Sequence, residues 1–116
     1  MTTRPIHAGA DEFDALVAKA ATPVIVDVWA AWCAPCRAIA PELDRAADEH
    51  ADDVTVVKVD ADTHPALVER LDVRSIPTLL LYHDGREVER RVGADALAPL
   101  LDRALSRTIS DRGADR

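Results

Sequence analysis

The chain has 116 residues, the size of one domain, and 48% of them are apolar, enough to close a single core at that length. Its 21 acidic residues against 14 basic ones, a net charge of −7, exclude the basic face that a nucleic-acid binder needs. No apolar run approaches the ~18 residues of a membrane span, and the start, "MTTRPIHAGADEF", lacks the apolar stretch of a signal peptide.

In chain order, "DEFDALVAKA" places Phe13, Leu16, Val17 and Ala20 at helical spacing, with Asp11 as the expected N-cap. "PVIVDVWA" (23–30) is almost continuously apolar, as in a strand buried on both faces. Residues 34–50 put Ile39, Leu43, Ala46 and Ala47 on one helical stripe. Pro41 falls inside that helix, where it removes the hydrogen bond to the Arg37 carbonyl. "VTVVKV" (54–59) predicts a second buried strand and "HPALVERL" a short helix. Residues 78–92 predict a hairpin around Asp84-Gly85, a favoured turn pair. "DALAPLLDRALSRT" predicts a last amphipathic helix, with Pro99 near its first turn. Residues 1–108 are expected to form the domain, and "ISDRGADR" (109–116) a polar, disordered tail. A strand–helix–strand unit followed by a hairpin implies an α/β fold: a mixed sheet with helices on both faces.

The two cysteines, Cys33 and Cys36, stand together in "WAAWCAPCR". A structural disulfide there would close a loop too short to constrain the unfolded chain much. Zinc wants four ligands, yet there is no second CxxC, and among His7, His50, His64 and His83 no pair has H-x₃₋₅-H spacing. Haem attachment needs a histidine after the second cysteine, where Arg37 stands. A redox pair fits the context of strand, turn and helix start. Positions i and i+3 at a helix start bring two Cα atoms within ~5–6 Å, inside the disulfide window. With Cys33 as N-cap, its sulfur would face the free N–H groups of the first turn, that of Cys36 included, and the positive end of the helix dipole. Both favour the thiolate, the nucleophilic form. Cys36, one turn in, would be shielded and keep its proton longer.

"VDVWAAWCAPC", "RSIPTLLLYHDG" and "VGA", in that order and spacing, resemble the thioredoxin family over about residues 8 to 107. The resemblance implies the thioredoxin fold, a central five-stranded mixed sheet flanked by four helices. It also implies a thiol–disulfide oxidoreductase that reduces protein disulfides by dithiol–disulfide exchange through Cys33 and Cys36. Such a protein needs no cofactor beyond its own Cys33–Cys36 disulfide, and no metal. The implied partners are an NADPH-dependent flavoprotein thioredoxin reductase and disulfide-containing client proteins, with neither nucleic acid nor membrane. A cytoplasmic monomer is expected, in a compartment where thiols stay reduced.

Carried onto this chain, the resemblance makes Asp27 the proton acceptor for Cys36. An unpaired carboxylate in an apolar strand costs several kcal/mol, so its pKa should be raised; an exposed edge-strand position is the alternative. Lys58, one of only two lysines, would lie near Asp27 and tune it, or simply snorkel to water. Pro77 is expected to follow a cis bond and to pack against the disulfide, with the Ile76 backbone offered to an extended client. Trp29 is expected in the core beneath the active-site turn. Trp32, Ala34, Pro35, Ile76, Pro77, Val92, Gly93 and Ala94 would form an apolar collar around Cys33. The chain departs from the family pattern at Ala34 and Ser75, both usually glycine, at Ala61, usually a larger apolar residue, and at Val28, usually Phe. A histidine between the cysteines would point to an oxidase or isomerase; Ala34-Pro35 points to a reductant. Other readings are a binding or chaperone module on the same fold with incidental redox activity, and a disulfide oxidase or isomerase.

Overall fold

A computed structural model describes residues 2–114 of the chain, and side chains through residue 108. The elements run β1 (Ile6–His7), α1 (Ala10–Lys19), β2 (Val24–Trp29), α2 (Ala34–Glu49), β3 (Thr55–Asp60), α3 (Pro65–Arg70), β4 (Thr78–His83), β5 (Arg86–Val92) and α4 (Leu97–Ala114). The five strands form one sheet in the order β1-β3-β2-β4-β5. β1 and β2 both run parallel to β3, and β4 is antiparallel to β2 and β5. This is the expected thioredoxin fold.

Because successive side chains of a strand point to opposite faces, the apolar run of β2 serves two cores. Val24, Val26 and Val28 pack with Phe13 of α1 and Leu67 of α3. Ile25 packs with Ile39 and Leu43 of α2 and Leu100 of α4. The sheet is thus a middle layer, with α1 and α3 on one side and α2 and α4 on the other.

Local chemistry sets the element ends. α1 is capped by Gly9, which makes no side-chain cap bond, and not by Asp11. Asp11 instead lies in the first turn, where an acid complements the positive helix end. A side chain at Gly9 would collide with the His64 ring, whose Cε1 lies 2.8 Å from the position of such a Cβ. α2 continues through Pro41. Asp84 and Gly85 both have positive φ (54° and 80°), as a two-residue hairpin with matching twist requires. β1 is two residues long and held by its pairing with β3. α4 runs on to Ala114, through most of the stretch expected as a tail, with no proline after Pro99 to stop it. The expectation for Asp115 and Arg116 lies outside the described residues.

Candidate redox site

β2 delivers the chain to a short turn at which the Cys33 N–H donates to the Ala30 carbonyl (3.2 Å). α2 then begins at Ala34 with Cys33 as its N-cap. Pro35 sits in the first turn, where a missing N–H costs nothing. The Cys36 N–H donates to Cys33 Sγ at 3.2 Å, so the first cysteine caps the helix through its sulfur. The two sulfurs are joined in a disulfide, with Cα atoms 5.2 Å apart. Arg37 Nη1 donates to the Ala31 carbonyl (2.7 Å), tying the first turn of α2 back to the loop. In this oxidised state both cysteines are buried, at 4% and 2% exposure. Burial therefore does not yet separate Cys33 from Cys36; the hydrogen bond onto Cys33 Sγ does.

Three loops meet around the pair. The loop after β2 and the start of α2 contribute Trp32, Ala34 and Pro35, all exposed. The loop before β4 contributes half-buried Ile76, which packs on the cysteine pair, and buried Pro77. The Ile76–Pro77 bond is cis. The end of β5 and the loop after it contribute exposed Val92 and Ala94, and Gly93 between them. Gly93 N–H donates to the Pro77 carbonyl (2.9 Å), joining the second loop to the third. Trp32 is 67% exposed, with its indole N–H on Asp62 Oδ1 at 3.2 Å. Asp62 lies 30 positions from Trp32, and no local pattern marks it as the partner.

Beneath the pair lies a row of side chains across one face of the sheet. The pairing register places His7, Lys58, Asp27 and Leu79 side by side on β1, β3, β2 and β4. Alternation puts Asp27 on the same face as Ile25, the face that α2 covers. Cys36 belongs to the stripe of α2 that carries Ile39 and Leu43. Asp27 is fully buried, not at an edge. Among the described residues neither of its oxygens has a hydrogen-bond partner. Burial pushes its pKa from 3.8 up to about 6, while the Lys58 charge opposes the rise. Lys58 Nζ lies 4.0 Å from Asp27 Oδ2 and 4.7 Å from the centre of the Trp29 ring. Lys58 is thus buried beside the aspartate, its ammonium over an aromatic face, where the charge is attracted to the ring. Trp29 is half-buried, packs against the cysteine cluster, and meets the His7 ring edge-on at 6.1 Å. No sequence pattern places His7 here; only the register with Lys58 reveals it.

The arrangement can do redox chemistry at sulfur. A capped sulfur sits at the positive end of a helix, its partner is one turn away, and a carboxyl group on the same side of the sheet is poised between protonated and ionised near neutral pH.

Known proteins share this plan. The thioredoxin family model matches residues 4–106. A thioredoxin of Mycobacterium tuberculosis is 52% identical over 79 residues, 68% of each chain. The bifunctional thioredoxin reductase/thioredoxin of Mycobacterium leprae is 45% identical over 89 residues, 77% of this chain and 19% of that one. Among solved structures, a mutant thioredoxin from Halobacterium salinarum NRC-1 superposes with a TM-score of 0.82 at 33% identity, covering 90% of this chain and 91% of that one.

Proposed function

The chain belongs to the thioredoxin family and is a thiol–disulfide oxidoreductase, and from that premise we propose that Cys33 and Cys36 reduce client disulfides in a fixed order, with Asp27 as the proton acceptor. Cys33 thiolate attacks one client sulfur. A mixed disulfide forms, the client bond breaks, and the other client sulfur leaves and takes a proton. Asp27 carboxylate then takes the Cys36 thiol proton. Cys36 thiolate attacks Cys33 Sγ, the mixed disulfide breaks, and the second client sulfur departs as a thiolate and takes a proton from water. Two electrons have passed to the client, and the protein is left as the Cys33–Cys36 disulfide.

The observation that carries this reading is the Cys33 sulfur at the N-cap of α2, accepting the Cys36 N–H. Lys58 tunes Asp27 by lending its charge to the carboxylate. The collar of Trp32, Ala34, Pro35, Ile76, Pro77, Val92, Gly93 and Ala94 receives an extended client segment, with the Ile76 backbone offering strand-like hydrogen bonds. An NADPH-dependent flavoprotein reductase returns the pair to the dithiol. The fused reductase and thioredoxin of the Mycobacterium leprae relative supports such a partner. The protein acts as a monomer in the cytoplasm, where the thiol pool stays reduced.

Reduction of insulin by dithiothreitol tests the activity: the protein should accelerate it, and the Cys33→Ser variant should not. Equilibration of the pair against glutathione tests the direction. A strongly reducing potential is expected; one close to that of glutathione would point to an oxidase or isomerase instead.

A further inference from the structure

Each turnover in this scheme loads a proton onto Asp27 and must return it to solvent, yet Asp27 itself is fully buried. The structure offers a path. A cleft of about 240 Å³ opens between β1, the start of α1 and the start of α3. That is room for several waters, each taking about 30 Å³ in the liquid. Its lining is polar and titratable: His7 from β1, Glu12 from α1, Lys58 and Asp60 from β3, and His64 at the head of α3. Lys58 belongs both to the cleft and to the pair with Asp27. Its 4.0 Å separation from Asp27 Oδ2 is beyond direct hydrogen bonding and matches a water-bridged contact. The His64 ring forms part of the wall, resting on Gly9 in the space a larger residue would need.

We propose that this cleft is the passage through which Asp27 exchanges its proton with solvent, with Lys58 at its inner end and the His64 ring as part of its wall. The proton leaves the Asp27 carboxyl for cleft water held by the Lys58 ammonium, which keeps its own three protons. It passes outward through the cleft water among His7, His64, Glu12 and Asp60, whose imidazole nitrogens and carboxylate oxygens hydrogen-bond that water. The sulfur chemistry stays on the other side of Asp27, next to α2. His64 acts on the rate of proton exchange, and not on the thiols.

The inference rests on Asp27 as proton acceptor, and the test separates the two ideas. In the full-length protein, the infrared band of the protonated Asp27 carboxyl is followed after a rapid pH jump, with Asp27→Asn identifying the band. His64→Trp, which fills the cleft, and His64→Leu, which makes its wall apolar, should each slow relaxation of the band several-fold. The midpoint of the Asp27 titration and the Cys33–Cys36 potential should stay at wild-type values. Wild-type relaxation in both folded variants overturns the passage, and the smaller His64→Leu change keeps the test open if His64→Trp does not fold. A wild-type rate of mixed-disulfide resolution in Asp27→Asn overturns instead the role of Asp27 in catalysis.

Discussion

The Cys36 N–H points at Cys33 Sγ across 3.2 Å. This contact makes two chemically identical thiols unequal. In the reduced protein the same N–H, and the helix end behind it, stabilise negative charge on Cys33 and not on Cys36. Mild alkylation of the dithiol should therefore label Cys33 well before Cys36, read by peptide mass. Equal rates would remove the assignment of attacking and resolving thiols. Cys36→Ser should accumulate mixed disulfides with clients, visible on non-reducing gels, whereas Cys33→Ser should trap none.

Ala34 is the first helical residue of α2 and is exposed, beside the cap. Alanine has less backbone freedom to lose than the glycine usual at this place. Ala34→Gly should lower stability by up to ~1 kcal/mol. Insulin reduction should stay within a few-fold of wild type, because no hydrogen bond at the sulfurs changes. Denaturant unfolding checks the first part; a higher midpoint for Ala34→Gly would mean that the alanine methyl is strained in the turn.

The sheet strands and the cysteine helix were legible because their patterns are local. β2 announces itself by a continuous apolar run, the hairpin by Asp84-Gly85, and α2 by one apolar stripe. The misses have a common cause in contacts that bridge elements distant in sequence. Ile6–His7 is too short to show any period and is a strand only because β3 lies beside it. Gly9, not Asp11, caps α1, in a place where the His64 ring, 55 positions later, leaves no room for a side chain. Asp27 was readable as a charge out of place, but its neighbours needed the register. That register sets Lys58 next to it and His7 next to Lys58. The collar was legible only through resemblance, since three loops far apart in the chain build it.

Arg90 supplies a third prediction. From β5 its guanidinium reaches the Leu71 carbonyl (2.9 Å) and the Asp72 carbonyl (3.0 Å), and it grips both carboxylate oxygens of Glu87 (2.6 and 2.7 Å). It thereby satisfies backbone acceptors at the end of α3, just where Asp72 turns the chain with a left-handed φ of 56°. Arg90→Ala leaves those carbonyls to water and frees the segment leading to Ile76 and Pro77. Because the side chain is about one-third exposed, screening trims the value of the ion pair, and the expected loss is about 1–2 kcal/mol. Glu87→Gln should cost less, since the carbonyl contacts remain. Urea unfolding of the two variants gives the order; equal losses would mean that the ion pair, and not the carbonyl contacts, holds the segment.

The last prediction follows from the burial of Asp27. Its pKa is about 6 in the folded protein against an ordinary 3.8, so folding disfavours the charged form. The penalty is absent below the unfolded value, grows between about pH 4 and pH 6, and is constant above. At neutral pH it amounts to about 3 kcal/mol. Asp27→Asn keeps the shape but cannot ionise, and its amide still loses water on burial, so only part of that penalty returns. The variant should be more stable than wild type by about 1–2 kcal/mol at pH 8 and less stable than it by about 1 kcal/mol at pH 4, where the wild-type carboxyl is largely neutral and the amide's burial cost remains. Lys58 lines the polar cleft, where water can reach the ammonium that the substitution leaves without its carboxylate. Chemistry should move the other way. Without a carboxylate to take the Cys36 proton, mixed-disulfide resolution should slow at neutral pH, and the deficit should shrink at high pH, where Cys36 ionises unaided. Denaturant unfolding and single-turnover client reduction, both taken across pH 4 to 10, decide it. Lower stability of Asp27→Asn at pH 8 together with a wild-type rate would make Asp27 a structural residue and leave Cys36 without its base.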